Sequence, residues 1–403
     1  MRGARSNPCA GTGHLIHDSR RLTLAAVLLS SLGVGLTFGF QPPLIALVLS
    51  RAGNSSAAIG AVTAASLVAI ILLGPIYPHI IARLGLKRSV VAGIVGAALI
   101  LPCMLLTQSL PVWFGLRFFT GCALGLSWIA SEIWLNTVSG NDARGTVMGV
   151  YGTVFSIGIV AGPSLLEFTG TRGWQPFAAG AVGLIVTLVP LALLPNSSSG
   201  SEGFASLRKL SAAITAAPLV MLAAWVAGLV ESADLTLLPL FGMRAGFGEQ
   251  TALLMLAVFM AGNVVLQVPI GLLADRFGRR RLLGICALSS ALGPLLLQPF
   301  FATPVLLWPL LFLWGGTLYA FYSQGVALLG AEFPAADLPT ANTVFVMVYC
   351  LGGVIGPSAG GFALDRWPHW GLPVLLCAAP LILLAGFKLP ARSAGQGNWG
   401  CAR

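Results

Sequence analysis

The chain has 403 residues, of which 57% are hydrophobic and only 8% charged, and its mean hydropathy is +0.90. Soluble domains carry about 25% charged residues, so 22 basic and 12 acidic side chains cannot build a water-facing surface of this size. The formal charge of +10 does not point to nucleic acid, because the basic residues sit in short loops between apolar runs and form no continuous patch.

A helix crossing a lipid core needs about 20 apolar residues. Gly, Pro and charged residues divide the chain into twelve such runs, over residues 22–49, 57–82, 89–107, 111–135, 146–168, 176–194, 218–243, 251–274, 282–301, 304–330, 340–364 and 372–390. The first run is too long for a signal-peptide core and is read as a retained helix. The expected fold is an all-α membrane protein with twelve transmembrane helices in two pseudo-symmetric six-helix bundles. Its parts are a cytoplasmic tail (1–21), an N-terminal bundle (22–194), a Ser- and Gly-rich linker (195–217), a C-terminal bundle (218–390) and a second tail (391–403).

Loops on the cytoplasmic side carry the Lys and Arg excess. With both termini inside, seventeen of the 22 basic residues fall on that side and four (Arg51, Arg172, Arg244 and Arg366) on the other, leaving Arg117 within a span. A multi-pass protein of a bacterial cytoplasmic membrane is therefore expected, a monomer whose surface partner is the lipid bilayer.

The halves repeat. The turn Ala82-Arg-Leu-Gly-Leu-Lys-Arg88 returns as Asp275-Arg-Phe-Gly-Arg-Arg-Arg281, 193 residues on, and Gly162-Pro163 returns as Gly356-Pro357, 194 residues on. Two landmarks that agree to one residue imply an internal duplication.

Twelve helices in two parallel repeats, with a basic turn after the second and eighth, resemble the major facilitator superfamily over essentially the whole chain. The signature turn G-x-L-A-D-R-x-G-R-R of that family is met in full by Gly271, Leu272, Leu273, Ala274, Asp275, Arg276, Phe277, Gly278, Arg279 and Arg280. Gly278 permits a tight turn, Asp275 can cap and pair with neighbouring helix ends, and the arginines hold the turn at the interface, as a gating hinge without substrate contact. In the first-half copy Pro78 replaces the leading Gly and Ala82 replaces the Asp. The fifth span is similar to the antiporter signature at Gly149, Gly158, Gly162 and Pro163, but Leu166 and Glu167 stand in place of its closing glycines. The eleventh keeps Gly352, Gly356, Pro357, Gly360 and Gly361. Such residues permit close helix packing and bending, whether or not they also set direction. Arg117-Phe-Phe-Thr-Gly121 resembles the R-x-x-x-G element of drug:proton antiporters, which implies proton coupling for Arg117. Trp128-Ile-Ala-Ser-Glu-Ile-Trp134 is similar to an uncharacterised bacterial branch of the superfamily.

Ionisable residues inside a bilayer are costly and are functional candidates by default. Glu231 and Asp234 stack on one face of the seventh span, roughly 20 and 24 Å from its cytoplasmic end. Arg117 lies roughly 9 Å from the outer end of the fourth span, which runs the other way, so all three come to similar depths. Two carboxylates this close in low dielectric cannot both ionise cheaply, which suits one to carry a proton with Arg117 as a switchable partner. The other reading of these residues is a permanent salt bridge between the halves. Glu132, roughly 32 Å along the fourth span, reads as an interfacial gate or cap or as a substrate contact. Gln41, Trp128, Tyr319, Tyr322, Ser323 and Gln324 are pathway candidates for an amphipathic organic solute, although ordinary packing explains any single one of them.

The four His (His14, His17, His79 and His369) and the seven scattered Cys form no metal or nucleophile motif, so neither an enzyme, a metal nor a cofactor is expected. The expected function is secondary transport of a small molecule by alternating access, with proton-coupled efflux in the lead. Proton-coupled uptake of a nutrient or vitamin-like solute is the alternative, and a non-transporting scaffold or receptor the reading from another class.

Overall fold

The computed structural model describes residues 10–107, 109–139, 144–192, 194, 213–334 and 338–388. The predicted tails lie partly outside the described residues, as does most of the predicted linker (195–212). Twelve helices carry the fold: α1 (Ala10–Arg51), α2 (Ser56–Leu73), α3 (Leu86–Cys103), α4 (Leu110–Val138), α5 (Arg144–Thr169), α6 (Gln175–Val186), α7 (Pro218–Arg244), α8 (Glu249–Phe277), α9 (Arg279–Phe300), α10 (Pro304–Glu332), α11 (Leu338–Arg366) and α12 (Gly371–Gly386). Eleven described segments are long and apolar enough to cross a membrane, and α12 is a shorter apolar helix. Among the described residues there is no strand.

Local chemistry sets the helix ends. Proline stands within the first two positions of α4, α6, α7 and α10, where its missing N–H costs nothing. Ser55 caps α2 by accepting a hydrogen bond from the Ala58 amide. The predicted second span is interrupted: Gly74, Pro75 and Ile76 separate α2 from a short helix, Tyr77–Leu84. Its counterpart α8 runs unbroken through Pro269, 194 residues after Pro75, so the break goes with the adjacent Gly74 as well as with the missing proline N–H.

The halves are built from the same contacts. In the first, α1 and α5 meet backbone to backbone at Gly35, Gly39, Gly158 and Gly162; a methyl group on Gly162 would lie 2.3 Å from the Gly39 carbonyl carbon. In the second, α7 and α11 meet at Gly228, Gly352 and Gly356, where a methyl on Gly356 would lie 2.0 Å from the Leu229 carbonyl oxygen. Between the halves α2 packs on α11 and α5 on α8. The first contact is the tighter, since Gly60 and Gly361 bring the α2 and α11 backbones together. On the α5–α8 side the bulkier Glu167 and Leu253 line a cleft of about 360 Å³.

Candidate functional site

Helix α7 is the most enclosed of the apolar helices, with 83% of its most apolar window buried against protein. Both predicted carboxylates are within it. Glu231 is 6% exposed and accepts a 2.7 Å hydrogen bond from the Tyr349 hydroxyl of α11. The Tyr319 phenol of α10 faces the same carboxylate and also contacts the Met260 sulfur at 3.0 Å. Asp234 is fully buried, and neither of its oxygens has a hydrogen-bond partner.

A second carboxylate stands in the other half. Glu132 of α4 accepts a 2.8 Å hydrogen bond from the Trp128 indole and lies within electrostatic reach of Tyr151 on α5 and, across the halves, of Tyr322 on α10. Its surroundings are aromatic. Trp128 stacks on Phe155 with ring centroids 5.5 Å apart, Phe38 packs edge-on to Trp128 at 5.8 Å, and Tyr151 adjoins Phe155 at 6.3 Å. From the second half Tyr322 meets Tyr349 at 5.1 Å, edge to face. Four of the five tyrosines in the chain therefore gather around two carboxylates, one from each half. Phe38, Trp128, Phe155, Tyr319, Tyr322 and Tyr349 are only partly buried. Flat rings, phenol hydroxyls and negative charge together suit an amphipathic solute, and cations in particular are attracted to aromatic faces.

Arg117 is brought to neither carboxylate. It is 4% exposed and donates to the Gln41 Oε1, to the Ser66 hydroxyl at 2.8 Å and to the Thr63 carbonyl at 3.3 Å, all within its own half. The repeat explains the separation. Gln41 and Asp234 are 193 residues apart and so occupy equivalent places, whereas the residue 194 beyond Arg117 is Leu311. The first half holds a buried cation on a neutral acceptor, and the second holds a buried carboxylate without the cation.

The other predicted residues have clear places. Gln41 is 1% exposed and serves as the acceptor for Arg117. Gln324 is buried in α10 with its Oε1 unpartnered. Gly158, Gly162, Pro163, Gly356 and Pro357 lie on helix-packing faces, while Gly149 and Gly271 have open space where a side chain would sit. In the signature turn Gly278 takes φ of +91°, matched by Gly85 at +83° in the first half. Asp275 pairs with Arg279 one helical turn away, at 2.8 Å, and Arg276 lies near the Phe277 ring. Arg280 packs over Phe387 beyond the end of α12, and Lys87, its counterpart 193 residues earlier, donates to the Ala192 and Leu194 carbonyls after α6. Phe38, Tyr151, Phe155 and Tyr349 escaped the sequence reading. The repeat could have flagged two pairs, since Phe38 is 193 residues from Glu231 and Phe155 is 194 from Tyr349.

Residues 23–258 and 220–398 match the family model described as the Major Facilitator Superfamily. The Uncharacterized MFS-type transporter YfkF of Bacillus subtilis (strain 168) is 26% identical, over 85% of this chain and 88% of that one. The Uncharacterized MFS-type transporter YE1530 of Yersinia enterocolitica is 25% identical, over 76% of this chain and 79% of that one. Among solved structures the nucleoside transporter NupG has a TM-score of 0.74 at 17% identity, over 92% of this chain and all of NupG. A bacterial homologue of the human lysosomal transporter Spinster, inward-facing and unoccupied, has a TM-score of 0.72 at 15% identity, over 99% of this chain and all of that one. With two six-helix halves enclosing buried charges, and a family model matched along nearly its whole length, this chain belongs to the major facilitator superfamily.

Proposed function

We propose that the protein is a proton-coupled secondary transporter that exports a small amphipathic organic solute by alternating access across a bacterial cytoplasmic membrane, working as a monomer with both termini inside. The observation that carries this reading is Asp234, fully buried with both oxygens bare. A naked carboxylate in hydrocarbon costs many kcal/mol, so the site calls for a proton or another cation. Glu231, one helical turn away, competes for the same charge and makes the pair a proton exchanger. The aromatic chamber with Glu132 receives the solute, and its two carboxylates favour the cationic form. Arg117 is a positioning residue that holds α1, α2 and α4 together around the path.

Orientation follows from the loop charges, which put the turns bearing Lys87 and Arg279 to Arg281 in the cytoplasm. The Arg51–Glu249 and Arg244–Ser56 contacts between the halves then lie on the outer side, which gives the chain the inward-facing state named for the Spinster homologue. Proteoliposomes carrying an imposed pH gradient test the reading with a panel of labelled organic cations and neutral analogues. Saturable, gradient-driven flux is expected for the protein, with at least a tenfold loss for Asp234→Asn or Glu231→Gln. If both variants kept gradient-driven flux, the proton role would fail, and accumulation with the proton would replace export by uptake.

A further inference from the structure

The repeat that relates the helices also relates six polar residues away from the central site. Arg51 and Arg244 end α1 and α7 and are 193 residues apart; Ser56 and Glu249 open α2 and α8, also 193 apart; Thr171 and Asp365 are 194 apart. These six residues are tied crosswise. Arg51 donates to the Thr171 carbonyl at 2.9 Å and to the Thr171 hydroxyl, and it pairs with Glu249 of the other half at 2.7 Å. The Thr171 hydroxyl in turn donates to Glu249. Arg244 donates to the Leu364 carbonyl at 2.7 Å, pairs with Asp365 at 2.9 Å and reaches Ser56 of the other half at 2.7 Å. Asp365 accepts from the Ser56 and Ala57 amides at 3.1 and 2.9 Å, where the start of α2 favours an anion.

Each arginine thus anchors on the segment after or at the end of the fifth helix of its own half and grips the first turn of the second helix of the other. We propose that Arg51–Thr171–Glu249 and Arg244–Asp365–Ser56 form a duplicated gate that holds this end of the pathway shut and must release in both copies before it opens. Any rocking that parts the halves here pulls Glu249 away from Arg51 and the start of α2 away from Arg244 and Asp365. One intact copy still pins the end, which is what two copies related by the repeat accomplish. The copies differ in chemistry. In the first, the bond between halves joins opposite charges; in the second, the carboxylate stays with its own arginine, and the other half offers a hydroxyl and two amides. All four charged groups are partly exposed, so salt weakens the gate, and it acts mostly on the first copy.

Spin labels at Ala52→Cys and Ala245→Cys, exposed residues just past the two arginines, read the separation of the halves by pulsed electron resonance, with the native cysteines replaced and the full chain in lipid nanodiscs. The measurement needs no substrate and is independent of the proton reading. Glu249→Gln is expected to lower the closed-to-open ratio roughly threefold, and Arg51→Gln with Arg244→Gln roughly tenfold or more, as a second, longer distance. Exchanging the charges in Arg51→Glu with Glu249→Arg is expected to restore the closed-to-open ratio that Glu249→Arg alone lowers, while the second copy keeps the short distance as the main population in both. If the double arginine variant is not recovered folded, Glu249→Gln with Ser56→Ala carries the same test. An unchanged distance distribution in the neutralised variants, or no rescue by the exchange, would overturn the proposal.

Discussion

Gln41 and Asp234 hold equivalent places in α1 and α7, yet their surroundings are opposite: an amide oxygen that receives Arg117, and a carboxylate that receives nothing. A charged donor loses more than a neutral one when its acceptor is removed, because the charge stays buried. Gln41→Leu is therefore expected to destabilise the first half by about 2 kcal/mol, read as a lower melting temperature in lipid nanodiscs, by leaving Arg117 with only Ser66 and the Thr63 carbonyl. Gln41→Glu keeps an acceptor of the same reach and adds the missing negative charge, so it should hold or raise the melting temperature. A fall with Glu equal to that with Leu would mean that volume, and not the hydrogen bond to Arg117, sets the response. Arg117 and Asp234 were both legible in the sequence as charges in apolar runs. Their separation was not, because depth along a helix says nothing about which face a side chain takes; Arg117 turns to α1 and α2, and the carboxylates turn to α10 and α11.

Among the helices, apolar run length fixed most boundaries within a few residues, as for α4 (predicted 111–135, found Leu110–Val138) and α7 (predicted 218–243, found Pro218–Arg244). The failure at Gly74 to Ile76 has a plain cause, since hydropathy continues across the break while the backbone ladder does not. Glycines could be read only as a class. The structure divides them by what stands opposite: Gly356 faces the Leu229 carbonyl oxygen at 2.0 Å from an added methyl group, and Gly149, in the same family motif of the other half, faces open space. Overpacking at such a contact forces two backbones apart and costs about 1–3 kcal/mol. Gly356→Ala is thus expected to lower the melting temperature and the folded yield by fluorescence-detected size exclusion, with Gly149→Ala close to the parent. Equal effects would show that these glycines act through helix propensity alone.

At the scale of the whole molecule, the duplication is both the most legible feature and the one that hid the most. The same offset of 193 to 194 that exposed two halves also links Arg51 to Arg244, but a loop count gives these residues a side of the membrane and no partner. They are instead bound into contacts between the halves. Their side of the membrane decides what state the molecule is in. If seventeen of 22 basic residues mark the cytoplasm, the end bearing Arg51 and Arg244 faces outward, and the closed gate makes the conformation inward-open. Single cysteines in a cysteine-free background check this directly. Ala52→Cys, exposed at the gated end, is expected to react with a membrane-impermeant maleimide in intact cells; Arg88→Cys, exposed at the basic turn, is expected to react only after permeabilisation. The reverse pattern would turn the protein over in the membrane. The duplicated gate would then close the cytoplasmic side, and the proposed proton path from Asp234 would open outward.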